Sequence, residues 1–411
     1  LWSTFTMSCT NGRKRWGTEC MPNDSRIRVL QFLVSPVRSG AEEVALELVR
    51  GLDPQRFRNY LVCPEPLLEA FGKDWQVGDA KALALTLESP FQWSAARRFI
   101  NYLRSEKIDV VHAHMIRAAA TAVPLARLAG VPVVIHTCHG REAWRKKWLS
   151  RQYWYDRRIT AWSHATVAVS ESTRDFLLKE KKLDAHKVVV IRNGRHLTGF
   201  VPDLERRQAL RHDLGIASDD PIVGVFGRLE EQKGHRYLIE ALPKVLEKVP
   251  ALHVLFAGDG SMRAELDASV RSLGLERCVH FLGYRQDWMN WMEVSDVVAL
   301  PSLYEGMPLV PIEAGAMAKP VVATAVDGTC EVVVDGESGV LVPPAKSAAL
   351  ADALIALLQD PERQRALGEA GARRARDLFS LEQQVRETAT LYERLLEARQ
   401  PQRARRDFAL S

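Results

Sequence analysis

Along this chain, short and almost continuous apolar runs are each followed by a loop and then by a stretch of helical spacing, and that alternation narrows the architecture more than any other feature. RVLQFLV at 28–34 reads as a buried strand, SPVRSG at 35–40 as a loop, and AEEVALELVRGL at 41–52 as an amphipathic helix with Val44, Leu48 and Leu52 on one face. Strand-like runs return at 60–63, 108–112, 131–136, 165–169 and 188–191. A second series starts at Pro221 with IVGVFG at 222–227 and a helix at 233–249. It continues through HVLFAG at 253–258, VHFLG at 279–283, VVALP at 297–301, KPVVAT at 319–324 and SGVLVPP at 338–344. Strands joined by helices pair in parallel, because a parallel crossover needs a connection long enough to hold a helix. The expected fold is α/β, with two doubly wound domains facing across a cleft and ligands beyond the carboxyl ends of the strands.

At 411 residues the chain is too long for a single core, which fits two domains. We divide it into a disordered leader at 1–25, a first domain at 26–200, a linker at 201–220, a second domain at 221–378, a closing helix at 379–399 and a basic tail at 400–411. In the closing helix Ser380 and Gln383 have capping-box spacing, with Leu381, Val385, Thr388 and Tyr392 on one face. Cys9, Cys20, Cys63, Cys138, Cys278 and Cys330 form no Cys-x-x-Cys pair, which points away from structural zinc and toward a reducing, cytoplasmic compartment. No apolar run is long enough to span a bilayer. The net charge of +5 belongs to one segment, 141–158, so a nucleic-acid partner is not expected.

Two stretches carry candidate chemistry. In LPSLYEGMPLVPIEAGAMAKPVVAT at 300–324, Glu305 and Glu313 stand eight apart around Gly306, Met307, Pro308 and Leu309. Gly306 and Pro308 break the chain, which puts Glu305 in a loop and Glu313 on a helix, with Pro308 suited to that helix's first position. Carboxylates accept hydrogen bonds from sugar hydroxyls, and amides at a helix start can meet an anion. Taken alone, the pair also fits a surface helix with ordinary exposed acids. In FGRLEEQKG at 226–234, Gly227, Arg228 and Lys233 lie where a strand gives way to a helix, and Arg and Lys together can hold a diphosphate. Alone, they also fit solvated surface charges.

Arg228, Lys233, Glu305 and Glu313, with Gly306 and Pro308, resemble the donor-site signature of the retaining glycosyltransferases of the GT-B fold, family 4 group, whose hallmark is this Glu-x7-Glu arrangement. The resemblance is strongest over 221–375. It implies two Rossmann-like domains and a nucleotide-sugar donor, with no cofactor and no metal. Arg228 and Lys233 would bind the diphosphate, Glu305 the sugar and Glu313 the ribose. Amides of Gly306 to Leu309 would meet sugar and phosphate, while Tyr284 and Arg285 would face the nucleobase. Gly40 stands where the family has a second glycine, and Ser39 replaces the first. His139, in Thr137–Gly140 after a strand, is the candidate polar contact at the reaction centre, although a lone histidine is more often structural. His112 and His114 either join it or line the cleft. Arg195 and His196 replace the last two residues of a family Asn-Gly-Val-Asp loop, which leaves the interdomain contact there open.

The segment 141–158 admits two readings. On a helix, Trp144, Trp148, Tyr155, Ile159 and Trp162 fall within about 60° of one another, with the basic residues elsewhere around the axis. They form either a core-facing stripe, or, with Arg145, Lys146, Lys147 and Arg151, the acceptor side: a surface for an anionic membrane or a lipid-linked acceptor. The activity implied is transfer of a sugar from a nucleotide donor to a saccharide or lipid-linked acceptor in cell-surface polysaccharide or glycolipid assembly. The protein would be cytoplasmic, either free or peripheral on the inner face of the cytoplasmic membrane. The alternatives are a non-catalytic glycan- or membrane-binding GT-B protein, a nucleotide-sugar epimerase and a phosphorylase.

Overall fold

A computed structural model describes residues 25–140, 153–197 and 203–399. Two wholly parallel sheets organise them. The first has seven strands: β1 (Ile27–Phe32), β2 (Phe57–Cys63), β3 (Lys81–Ala84), β4 (Val110–His114), β5 (Val133–Cys138), β6 (Ala165–Ala168) and β7 (Val188–Val190), in the order β3-β2-β1-β4-β5-β6-β7. The second has six: β8 (Ile222–Phe226), β9 (His253–Ala257), β10 (Val279–Gly283), β11 (Val297–Leu300), β12 (Val321–Thr324) and β13 (Val340–Val342), in the order β10-β9-β8-β11-β12-β13. The strand order reverses between β1 and β4 in one sheet and between β8 and β11 in the other. At such a reversal successive connecting helices lie on opposite faces of the sheet, which leaves a crevice at the carboxyl ends of the strands.

Both faces of each sheet are covered, so adjacent strand residues join different cores. Leu30, Tyr60 and Val111 pack with Phe99 and Leu103 of the helix Trp93–Ser105 on one face of the first sheet. Val29, Phe57 and Val110 pack with Leu48 and Leu52 on the other. That second face is completed from the far end of the chain. Leu381, Val385, Leu391 and Tyr392 of the helix Leu381–Glu397 lie in the same cluster, and each buried apolar side chain there contributes about 2 kcal/mol. Ser380 caps this helix, its side chain accepting from Gln383 N, as the capping-box spacing predicts.

Several boundaries differ from expectation. The segment 204–213 is a helix, Leu204–Asp213, capped by Asp203 and tied to the second domain by Arg207 to Asp296 at 2.8 Å, rather than open linker. The short β3 was not anticipated, because KALA carries too little apolar pattern to read. Gly234, at φ 62°, interrupts the helix expected at 233–249, leaving a 3-10 turn at Glu231–Lys233 and an α-helix at His235–Leu246. The helix after the Glu305 loop starts at Val310, so Pro311 and not Pro308 fills its first turn. In the helix Tyr153–Trp162 the inward face is Asp156, Ile159 and Thr160. Tyr155 and Trp162 are 40% and 53% exposed, so the aromatic stripe does not point into the core as a unit. The leader, the basic tail and Trp144, Arg145, Lys146, Lys147, Trp148 and Arg151 lie outside the described residues.

Candidate active site

The charged side chains gather at the reversal point of the second sheet. After β8 the chain turns at Gly227, whose φ of 128° suits a residue without a side chain, and exposes Arg228. Gly234 then packs so tightly on the carbonyl of Pro301 that a Cβ would overlap it, which holds Lys233 against the loop after β11. Lys233 Nζ donates to Glu305 Oε1 at 2.6 Å, and Ser302 Oγ donates to the same oxygen at 2.7 Å. The backbone amide of Glu305 donates to Asp327 Oδ2 at 3.2 Å. Glu305 is 6% exposed, so its charge is held by fixed partners rather than by water.

Glu313, on the helix Val310–Ala316, is also buried and lies 2.6 Å from Arg195. Burial pushes its carboxyl pKa up against the pull of Arg195. Arg195, near the end of the first domain, reaches across to Glu313 while standing 3.8 Å from Glu47 and 4.0 Å from Glu43 on the helix Gly40–Gly51. Burial alone would weaken the guanidinium's hold on its proton, but Glu313, Glu43 and Glu47 keep its pKa above the ordinary arginine value. The substitution that left this contact open in the sequence is therefore a bridge joining both domains at the second glutamate. A cavity of about 1070 Å³ runs between the domains past Arg38, Glu47, Trp288 and Leu381 and meets the site at Arg195 and Glu313.

The Glu305 loop is seated directly on the first domain. Gly306 lies so close to the backbone of His139 and Gly140, and Gly328 so close to Gly306, that a Cβ on either Gly306 or Gly328 would overlap a carbonyl oxygen. Ser170 Oγ donates to Gly306 O at 2.9 Å and Asn193 Nδ2 to Met307 O at 3.2 Å. Glu331 accepts from the amides of Glu171 and Ser172, the first residues of the helix Glu171–Lys179. Gly40 faces Leu309 across the same gap, 3.7 Å from its Cδ1 if a Cβ were present. Pro308 is buried in this loop.

Opposite stand the histidines. His139 Nε2 is 3.2 Å from His114 Nδ1, and the rings of His112 and His114 stack 4.4 Å apart. Burial pulls the pKa of His139 down to about 4 and that of His112 to about 3, and it lowers His114 as well, so all three are neutral near pH 7. Tyr284, 59% exposed, and Arg285 lie in the loop after β10. Arg285 is held by Asp287 through two bonds of 2.8 Å and lies over the Trp291 ring, so its fork is engaged within the loop. Ser302, Asp327, Ser170 and Glu331 were missed by sequence reasoning, whereas Asn193 opens the Asn-Gly pair kept from the family loop. Only Asp327-Gly328, a turn-type dipeptide, carries a local signal.

Two parallel Rossmann-like sheets facing each other, with paired acids and bases at the reversal point of the second, define an α/β protein of the GT-B architecture. Two family models match, "Glycosyltransferase Family 4" over 38–198 and "Glycosyl transferases group 1" over 206–374. The chain is 28% identical to the Escherichia coli UDP-Gal:alpha-D-GlcNAc-diphosphoundecaprenol alpha-1,3-galactosyltransferase, over 74% of this chain and 81% of that one. It is 30% identical to the alpha-maltose-1-phosphate synthase of Mycolicibacterium smegmatis, over 71% of this chain and 80% of that one. Among solved structures, Anabaena HepE in complex with UDP-glucose superposes with a TM-score of 0.77 at 22% identity, covering 89% of this chain and all of that one, which speaks to the fold. The chain belongs to the family 4 glycosyltransferases of the GT-B fold, and it is a glycosyltransferase enzyme.

Proposed function

We propose that this glycosyltransferase is retaining and metal-independent, and that it moves a sugar from a uridine diphosphate donor onto a saccharide carried by a lipid diphosphate. The observation that carries the reading is the buried Lys233–Glu305 pair, at 2.6 Å, on a loop pressed against His139 and Gly140 of the opposite domain. Arg228 and Lys233 bind the diphosphate and take up the charge that grows on it as the glycosidic bond breaks. Glu305 holds the sugar hydroxyls, Glu313 the ribose, and the backbone of Gly306, Met307, Pro308 and Leu309 lines the sugar and phosphates. Gly227 and Gly40 leave room for close approach, while Tyr284 and Arg285 flank the base. The departing phosphate deprotonates the acceptor on the same face, which retains the anomeric configuration. Fixed positive side chains meet the leaving charge, so no metal and no other cofactor is needed.

The E. coli relative is named for a UDP-galactose donor and a diphosphoundecaprenol-linked acceptor, which supports this donor and acceptor class. Exposed Trp154, Tyr155 and Trp162 follow directly on Arg145, Lys146, Lys147 and Arg151 in sequence, a mixture suited to an anionic lipid surface. Among the described residues no helix is long and apolar enough to cross a membrane, and we place the protein in the cytoplasm, peripheral on the inner membrane face, in cell-surface polysaccharide or glycolipid assembly.

The test is release of UDP from a panel of UDP-sugars, with lipid-diphosphate acceptors and with EDTA, and NMR of the product's anomeric proton. Turnover that survives EDTA and gives an α-product from an α-donor supports the reading. An inverted product, or a rate for wild type no higher than for Glu305→Ala, overturns it. Liposome co-sedimentation that is unchanged by neutralising Arg145, Lys146 and Lys147 would remove the membrane surface from the account.

A further inference from the structure

A continuous chain of buried polar groups links His139 to the helix at the end of the described chain. Gln31, His112, His114 and Tyr392 are all at most 1% exposed, and Thr137 is 3% exposed, so each must find its partners within the protein. The oxygen of the Gln31 amide accepts only. At 2.8 Å from His114 Nε2 it therefore requires the proton on that nitrogen. His114 is neutral, so its Nδ1 is bare and accepts from His139 Nε2–H at 3.2 Å. The proton of neutral His139 is then committed to Nε2, and Nδ1 is left as the acceptor of the ring. On the other side Gln31 Nε2 donates to Tyr392 OH at 3.2 Å, Tyr392 OH donates to His112 Nδ1 at 2.7 Å, and His112 Nε2–H donates to Thr137 Oγ1 at 2.6 Å. With the Gln31 nitrogen on Tyr392, whose own proton goes to His112, each of these bonds has one donor and one acceptor, and the direction runs from Gln31.

We propose that Gln31 and Tyr392 are positioning residues that lock His139 in its Nε2–H tautomer, so that His139 offers the reaction centre a hydrogen-bond acceptor for a hydroxyl rather than a donor. The inference rests on the reading of His139 as the polar contact beside the transferred sugar. It adds to that reading the sense of the contact and the distant residue that sets it. Tyr392 reaches the chain from more than 250 positions away from His139, in the helix Leu381–Glu397, so a side chain outside both reversal points controls a proton inside one of them.

The experiment is 15N NMR of the full chain labelled at histidine, with His139 assigned by the signals lost in His139→Gln. A protonated and a bare ring nitrogen differ widely in shift, and their couplings to the ring protons tell Nδ1 from Nε2. The wild type is expected to show one tautomer at His139, protonated at Nε2. Tyr392→Phe keeps the ring packed on Phe57 and removes the hydroxyl. The freed Gln31 amide can then reverse, and His139 should become a mixture of tautomers. Gln31→Leu should abolish the preference. A wild-type His139 protonated at Nδ1 overturns the proposal by itself, whether or not either variant folds. So does a folded Tyr392→Phe with the wild-type pattern. Because the readout needs no substrate, failure of the protein to turn over UDP-sugars would sink the transferase mechanism and leave this result standing, and the reverse also holds.

Discussion

At the carboxyl ends of the first sheet the polar side chains are neutral rings, His112, His114 and His139, bonded to one another and to Gln31. At those of the second they are ions, Arg228, Lys233, Glu305 and Glu313. On the proposed mechanism the contrast matches what each side would be asked to do. A leaving diphosphate gains charge as the sugar departs and is best met by fixed charges. An uncharged acceptor hydroxyl needs orientation, and a neutral hydrogen bond gives that without trapping an ion. The two edges are joined by Arg195, a first-domain charge that lies beside Glu47 of the helix Gly40–Gly51 and pairs with Glu313 of the second edge.

The division of labour can be broken at the charged edge first. On the proposed mechanism Lys233→Ala removes a diphosphate contact, and it strands Glu305 in a buried site, so UDP release should fall by about a thousandfold, as should that of Glu305→Ala. A loss below tenfold would mean that this edge is not where charge is met. The seam between the edges comes next. Gly306→Ala places a Cβ against the carbonyl of His139, and the loop must move away from the first domain; activity should drop about a hundredfold while the thermal midpoint of the second domain changes little.

Arg195→Met should lower stability by about 3 kcal/mol in urea unfolding, at the low end for breaking a buried pair, because Glu313, already raised by burial, can take up a proton when its partner goes. The pH dependence of the defect identifies it: Arg195→Met should recover part of the loss as the pH is lowered toward the raised pKa of Glu313.

The neutral edge is probed by pH alone. Burial lowers His112 to about 3 and His136 and His139 to about 4, against an unfolded value of about 6.5. The unfolded chain therefore binds more protons between these values. Stability that is full above pH 6.5 should be lost as the pH falls toward 4, by at least about 1.4 kcal/mol per pH unit, the share of one histidine. A thermal midpoint that stays flat between pH 6.5 and 4.5 would show that these rings are protonated in the folded protein.

The fold was legible because it is written locally: each buried strand is an apolar run, each helix has its own period, and the thirteen strands of the described residues needed little more than that apart from β3. The ions of the second edge were legible for a similar reason, since Glu305 and Glu313 sit on one loop and helix. What escaped was pairing over long separations. Nothing near His112 announces Tyr392, and nothing near Glu313 announces Arg195, because those contacts exist only once both sheets are formed. The exposed aromatics of the helix Tyr153–Trp162 escaped differently. Their spacing was readable, but the phase of the helix was set by Asp156, which turns inward to Lys181 at 2.8 Å.

The helix Leu381–Glu397 has a consequence for the order in which the protein can be made. It supplies Leu381, Val385, Leu391 and Tyr392 to a core whose other members begin at Val29. A ribosome that has delivered the whole first domain has still not delivered the wall on one side of its sheet. Val29, Leu48, Phe57 and Val110 must wait, partly open to solvent, while the second domain is synthesised and folds. The first domain is therefore finished after the second, although it leaves the ribosome first.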